Sequence, residues 1–240
     1  MALVTTKAIV FNAIKFGDSS LIVKCFTEKE GVKSYLIRGV LKSKKGKLKV
    51  AYFQPLTQLV LTANHNTKGT LNSIKEASVT YHYQNIYANI VKQTMVLFLS
   101  EVLATIIKEE EENIALFSYL ETAIIWLDTH TTIANFHLLF LLNLSHFLGF
   151  YPDISDQDKR GFHLLEGIFT NAMHQKEIIK NDELVQFKKL LGTNFDAIEN
   201  VSFNKKERQT VLRVILQYFE LHLGGFRTPK SLAILETVFS

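Results

Sequence analysis

The chain has 240 residues, of which 47% are hydrophobic and 21% charged, and a formal net charge of +4; this excludes a disordered polycation and allows one large domain or two small ones. A single cysteine, Cys25, excludes an intramolecular disulfide and any zinc site built from several thiolates. Every apolar run is broken by Lys, Glu, His or Asn before about 18 residues, so no membrane span is expected, and the start Met1-Ala2-Leu3-Val4-Thr5-Thr6-Lys7 lacks the pattern of a secretory signal, which makes cytoplasmic residence the expectation.

The net charge conceals two opposite pieces. The first 80 residues hold 13 of the 27 basic side chains and only four acidic ones, Asp18, Glu28, Glu30 and Glu76, for a balance of +9. The remainder holds 14 basic and 19 acidic side chains, for a balance of −5. This segregation points to a polyanion-binding head on a different body, with the division at 1–80 and 81–240.

From Thr6 to about Thr80 the periodicity is close to two, in the runs Ala8 to Phe11, Ser20 to Phe26, Lys33 to Arg38 and Gln58 to Thr62. Turn residues separate them: Gly17-Asp18-Ser19, Glu30-Gly31, the lysine run around Gly46, and Asn64-His65-Asn66 with Gly69. About five strands in this length predict a small closed barrel of the oligonucleotide-binding (OB) type. Lys42, Lys44, Lys45, Lys47 and Lys49 put five positive charges in eight residues, unbalanced by acids, where they can replace the counterions of a phosphate backbone. Lys15, Lys24, Lys33 and Arg38 join them as expected DNA contacts. Tyr35, Phe11, Phe16, Tyr52 and Phe53 are the barrel aromatics that offer stacking surfaces to bases, Tyr35 foremost.

After Tyr81 the period becomes helical, beginning with Ile86, Ile90, Val91, Met95, Phe98, Val102, Leu103 and Ile106 and ending in the solvated run Glu109-Glu110-Glu111-Glu112. Further helices are expected over 114–128, 132–148, 182–191 and 205–223, making this part all-α. Thr131 or Thr132 is the expected cap of the second of these, Gly149 its stop, and Thr228-Pro229 the start of a last helix. The stretch 162–169 reads as a short hairpin. No His-x-x-x-His pair, glycine-rich phosphate loop, Gly-x-Ser-x-Gly elbow or paired-carboxylate signature occurs. Neither an enzyme nor a bound metal or other cofactor is expected.

Several separated segments together resemble the bacterial RecO family of DNA repair proteins. At the front these are Lys7-Ala8-Ile9-Val10-Phe11, Phe16-Gly17-Asp18-Ser19-Ser20-Leu21-Ile22-Val23, Phe26-Thr27-Glu28, Ile37-Arg38-Gly39 with the lysine loop, and Gln54-Pro55-Leu56. At the back they are Phe147 to Pro152, Phe162 to Phe169, and Leu221 to Leu232. The resemblance implies an OB-fold barrel followed by a helical domain, an α+β multidomain chain. It also implies binding of single- and double-stranded DNA, annealing of complementary strands, and, with RecR, loading of RecA onto DNA coated by single-strand-binding protein (SSB). The acidic, apolar C-terminal tail of SSB is then expected on the helical domain, with Arg213, Arg227 and Lys230 at the rim of its pocket, and the protein at the nucleoid. Many members carry a four-cysteine zinc module after the Leu-Gly-Phe-x-Pro segment; this chain has none of those ligands, so 152–175 is expected to hold by packing. The rival reading is a non-catalytic adaptor that recruits repair partners through its helical body.

Overall fold

The computed structural model describes residues 2–43, 46–66 and 71–239. They divide into two compact units, 1–128 and 129–240.

The first unit begins with five strands, β1 (Ala2–Phe16), β2 (Ser20–Thr27), β3 (Gly31–Ile37), β4 (Gln58–His65) and β5 (Ser73–Val79). They form an antiparallel sheet in the order β3-β2-β1-β4-β5. Its two edges meet through a parallel bridge between Tyr35 and Asn72, in which Leu36 N donates to Asn72 O and Asn72 N to Ser34 O, both at 2.9 Å. This closure satisfies backbone groups that a free edge would leave unpaired, and the strand order with a parallel β3–β5 junction is that of the OB barrel. Alternation fills the interior: Ala8, Val10, Leu21, Val23, Cys25, Tyr35, Ile37, Leu59, Leu61 and Ala63 form one core, closed below by Val40 and Phe53.

Two helices, α1 (Ile90–Ile106) and α2 (Ile114–Thr129), come next in the chain. The change of period near residue 80 marks the change from strand to helix, whereas the compact unit runs on to Asp128. The physical reason lies in β1, whose residues Ala8 to Phe11 are buried on both faces. Phe11 stacks on Phe26 at 5.9 Å, and Phe26 packs on Phe117 of α2 at 5.9 Å. An outer sheet face with this much apolar area needs a cover, which the helices supply.

The second unit holds α3 (Phe136–Phe147), three short strands β6 (Gly161–His163), β7 (Ile168–Thr170) and β8 (Ile178–Lys180), then α4 (Asn181–Lys188), α5 (Lys205–His222) and α6 (Leu232–Val238). The all-α expectation is thus met in its helices and amended by a sheet of order β7-β6-β8, which contains the hairpin read at 162–169. Phe162 lies 5.1 Å from Phe169 and 5.2 Å from Phe187, and the His222 ring stacks on Phe150 at 5.1 Å and 6°. His222 Nε2 contacts Leu164 O at 2.8 Å, and Tyr218 Oη donates to Phe150 O at 2.7 Å. Aromatic packing of this kind anchors the hairpin on α5.

Two caps differ from expectation. Asn135, not Thr131 or Thr132, precedes α3, and its side chain turns away to donate to Val201 O at 2.6 Å. Ser231 precedes α6, while Thr228 Oγ1 donates to Glu220 Oε1 at 3.1 Å. The cap of α5 is reciprocal: Asn204 Oδ1 accepts from Glu207 N and Glu207 Oε2 accepts from Asn204 N.

Candidate nucleic-acid interface

The outer face of the barrel is divided by an irregularity in β1. Its register against β2 shifts between Val10 and Asn12, so that Val10 pairs with Cys25 but Asn12 pairs with Lys24. A bulge bends the strand and re-aims the side chains beyond it. Before it, the outer face lies under the helices. After it, Ile14 pairs with Ile22, which pairs with Leu36, and Phe16 pairs with Ser20. Ile14 is 60% exposed and Phe16 52%, so two apolar side chains of one outer face stand open side by side, the kind of patch that a ligand covers. Ile37 pairs with Leu21, which places Arg38, the next residue, at the same end of the sheet as Ser20 and Phe16.

The segment after β3 extends this end with charge. Arg38, Lys42, Lys47 and Lys49 are exposed, as is Lys15. Lys47 Nζ lies 3.6 Å from Glu76, with both side chains largely in solvent, and such a pair opens at little cost. Lys44 and Lys45 lie outside the described residues. The result is an apolar, aromatic-tipped surface beside a basic loop, the pairing of stacking platform and phosphate-binding charge that single-strand binders use.

Three predicted contacts are placed elsewhere. Tyr35 has no exposed surface, because its position in β3 points into the barrel. Its hydroxyl lies 2.9 Å from His65 Nε2, and His65 Nδ1 lies 2.6 Å from Glu30 Oε2. Burial pushes the Tyr35 phenol well above its usual range. The expected stacking role of Tyr35 is therefore corrected: it is a core residue that locks the barrel closure. Lys24 lies on the outer face, but its ammonium donates to Ala104 O at 2.6 Å and Ile107 O at 3.3 Å, and burial lowers its pKa. Lys33 Nζ lies 2.9 Å from Glu110 Oε2 and 3.9 Å from Glu30 Oε2, with only 15% of the side chain exposed. Phe11 and Phe53 are buried as well. Of the aromatics named from sequence, Phe16 offers the most open face. The row of exposed Ile14 beside half-buried Ile22 and Leu36 escaped sequence reasoning because simple alternation carries no trace of the bulge in β1.

In the second unit, a groove of about 580 Å³ runs along α5, lined by Leu212, Arg213, Leu216, Thr228, Leu232 and Glu236 among others. Arg213 sits on its wall and bonds Glu183 through Nη2 at 2.9 Å. Arg227 and Lys230 are exposed near its Thr228 end.

Comparison with known proteins agrees with this architecture. The family model described as Recombination protein O N terminal matches residues 1–83, and that described as Recombination protein O C terminal matches residues 87–232. The DNA repair protein RecO of Flavobacterium johnsoniae is 48% identical over 237 residues, and that of Flavobacterium psychrophilum 46%, with 99% of each chain covered in both cases. The DNA repair protein RecO of Bacteroides fragilis is 37% identical, with 98% of each chain covered. Given these matches along nearly its whole length, the chain belongs to the RecO family of DNA repair and recombination proteins.

Proposed function

We propose that the chain binds single- and double-stranded DNA through the exposed half of the β1-β2-β3 face and the basic segment after β3, and that it anneals complementary strands. The observation that carries this reading is Phe16, half in solvent at the end of β1 and level with Arg38. Phe16 stacks on a base, with Ile14, Ile22 and Leu36 forming the apolar floor. Lys15, Arg38, Lys42, Lys44, Lys45, Lys47 and Lys49 neutralise phosphates. No covalent bond is made or broken: positive charge lowers the repulsion between two strands, and base pairing supplies the sequence. Residues 1–80 then serve as the DNA-binding head and 81–240 as the body that meets protein partners.

The same reading gives the chain a place in recombination beside RecR, RecA and SSB at the nucleoid. An acidic peptide with apolar side chains, such as the SSB tail, suits the α5 groove, where Leu212, Leu216 and Leu232 supply apolar contacts and Arg213 a charge. Arg227 and Lys230 add positive charge nearby.

The test is annealing of complementary fluorescent oligonucleotides by the wild type and Phe16→Ala. The reading expects the variant to anneal more slowly and to bind single strands at least fivefold more weakly, since a stacked base is worth about 1–3 kcal/mol. Wild-type rates from the variant would remove Phe16 from the site.

A further inference from the structure

β1 is 15 residues long, yet most of it has a partner strand on one side only. β4 pairs with Ala2 to Ile9 and β2 with Ala8 to Phe16, so that only Ala8 and Ile9 are flanked by strands on both sides. Each half of β1 therefore turns one edge away from the ladder, and the two edges are treated differently. Along the first half, Lys7 O accepts from Glu28 N at 3.0 Å, Thr6 Oγ1 from Lys29 N at 3.3 Å and Thr5 O from Lys29 Nζ at 2.8 Å. The turn after β2 thus caps that edge. On the opposite side, Val10 still donates to Thr57 O at 3.0 Å and accepts from Leu56 N at 2.7 Å. Beyond it, from Asn12 to Phe16, no described residue bonds the edge that faces away from β2. Backbone groups alternate sides along a strand, so this stretch presents unpaired N–H and C=O groups, a template for a further strand.

The side chains along this edge define what would pair with it. Ala13, Ile14, Lys15 and Phe16 are all exposed. Ile14 and Phe16 lie on the outer face, whereas Lys15 pairs with Leu21 on the other face and has no ion-pair partner among the described residues. An added strand sets its own residues opposite these with the same period of two. Apolar residues opposite Ile14 and Phe16 bury exposed area, and an acidic residue between them meets Lys15. Arg38, Lys42, Lys47 and Lys49, exposed toward the same end of the sheet, favour acid further. Two copies of this edge would instead bring their Lys15 ammonium groups and basic segments together, so charge disfavours self-pairing.

We propose that the edge of β1 from Asn12 to Phe16 is a docking strand for a partner protein, which adds an extended segment of apolar–acidic–apolar pattern to the barrel sheet. Main-chain hydrogen bonds supply the common part of the affinity, and the alternation of Ile14, Lys15 and Phe16 supplies the selectivity. The inference does not depend on DNA binding.

The experiment uses the full chain and two end-blocked fluorescent peptides, Val-Glu-Val-Asp-Val and Val-Lys-Val-Lys-Val, which differ in side-chain charge alone. Binding is read by anisotropy and the site by amide hydrogen exchange. The acidic peptide is expected to bind saturably and to slow exchange within residues 12–16 while leaving 2–7 unchanged. Lys15→Glu, at an exposed position, is expected to weaken the acidic peptide at least fivefold and to bind the lysine peptide more tightly than the wild type does. The absence of saturable binding overturns the proposal, as does binding that leaves residues 12–16 unprotected. Protection of 12–16 by a single-stranded oligonucleotide but by neither peptide assigns the edge to DNA and overturns it. Protection that grows with protein concentration alone assigns the edge to a second copy of the chain, with the same consequence.

Discussion

The ammonium of Lys24, on the outer face of β2, donates to the carbonyl oxygen of Ala104 in the last turn of α1 at 2.6 Å, and to that of Ile107 at 3.3 Å. The last carbonyls of a helix have no intrahelical donors, and a cation there also meets the negative end of the dipole. A lysine that its sequence neighbourhood marks for phosphate instead joins strand to helix. Lys24→Met keeps the stem and removes the donor. Denaturant unfolding should show a loss of about 1–2 kcal/mol, with oligonucleotide affinity unchanged within twofold.

Asp128 is fully buried near the end of α2. Its Oδ1 accepts from Asn85 N and Ile86 N at 2.8 and 2.9 Å, and its Oδ2 from Gln84 N at 2.9 Å. Lys92 Nζ donates to its carbonyl oxygen at 2.7 Å. The carboxylate thereby holds the segment that leads from the barrel into α1. Asp128→Asn turns one acceptor into a donor that faces N–H groups. Unfolding measurements should find about 2–4 kcal/mol lost, far more than for an exposed acid such as Glu112.

These two residues show what the sequence conveys and what it does not. Strand alternation and the glycine turns made the five-stranded barrel legible, and the helical stripes made α1 to α5 legible to within a few residues. Pairing across elements was not legible. Nothing around Lys24 or Lys33 distinguishes them from Lys42, because their carbonyl and carboxylate partners lie about 80 positions away. The inward direction of Tyr35 likewise depends on the register with β2 and on the bridge to Asn72. The one-residue bulge that exposes Phe16 leaves the composition of β1 unchanged.

His137, in the apolar helix α3, is buried, and that burial, with the positive charge of Arg208 adding to it, pushes its pKa down to about 3. The unfolded chain takes up a proton below about 6.5 while the native state does not. The histidine's contribution is therefore complete above pH 6.5 and is lost as the pH falls toward 3, by at most about 1.4 kcal/mol per unit. Between pH 6.5 and 4 the wild type should lose roughly 2–3 kcal/mol more than His137→Leu, read from urea unfolding at each pH. Parallel curves would show that His137 titrates alike in both states.

Tyr35 and Phe16 should separate fold from function. Tyr35→Phe removes the hydroxyl that faces His65 inside the barrel and is expected to cost about 1–2 kcal/mol of stability with DNA affinity retained. Phe16→Ala should do the reverse, keeping the melting temperature within about 2 °C and weakening single-strand binding. Circular dichroism melts and fluorescence anisotropy on the two variants give both readings.

The most direct test of the DNA-binding surface is a salt series of single-strand binding by the wild type and by Arg38→Glu/Lys42→Glu/Lys47→Glu/Lys49→Glu. If about four phosphates are neutralised, wild-type affinity should fall roughly fiftyfold between 50 and 200 mM salt. The variant should bind at least tenfold more weakly at 50 mM salt and show a much flatter slope. Equal affinity and equal slope in the two proteins would contradict a DNA site on this end of the barrel.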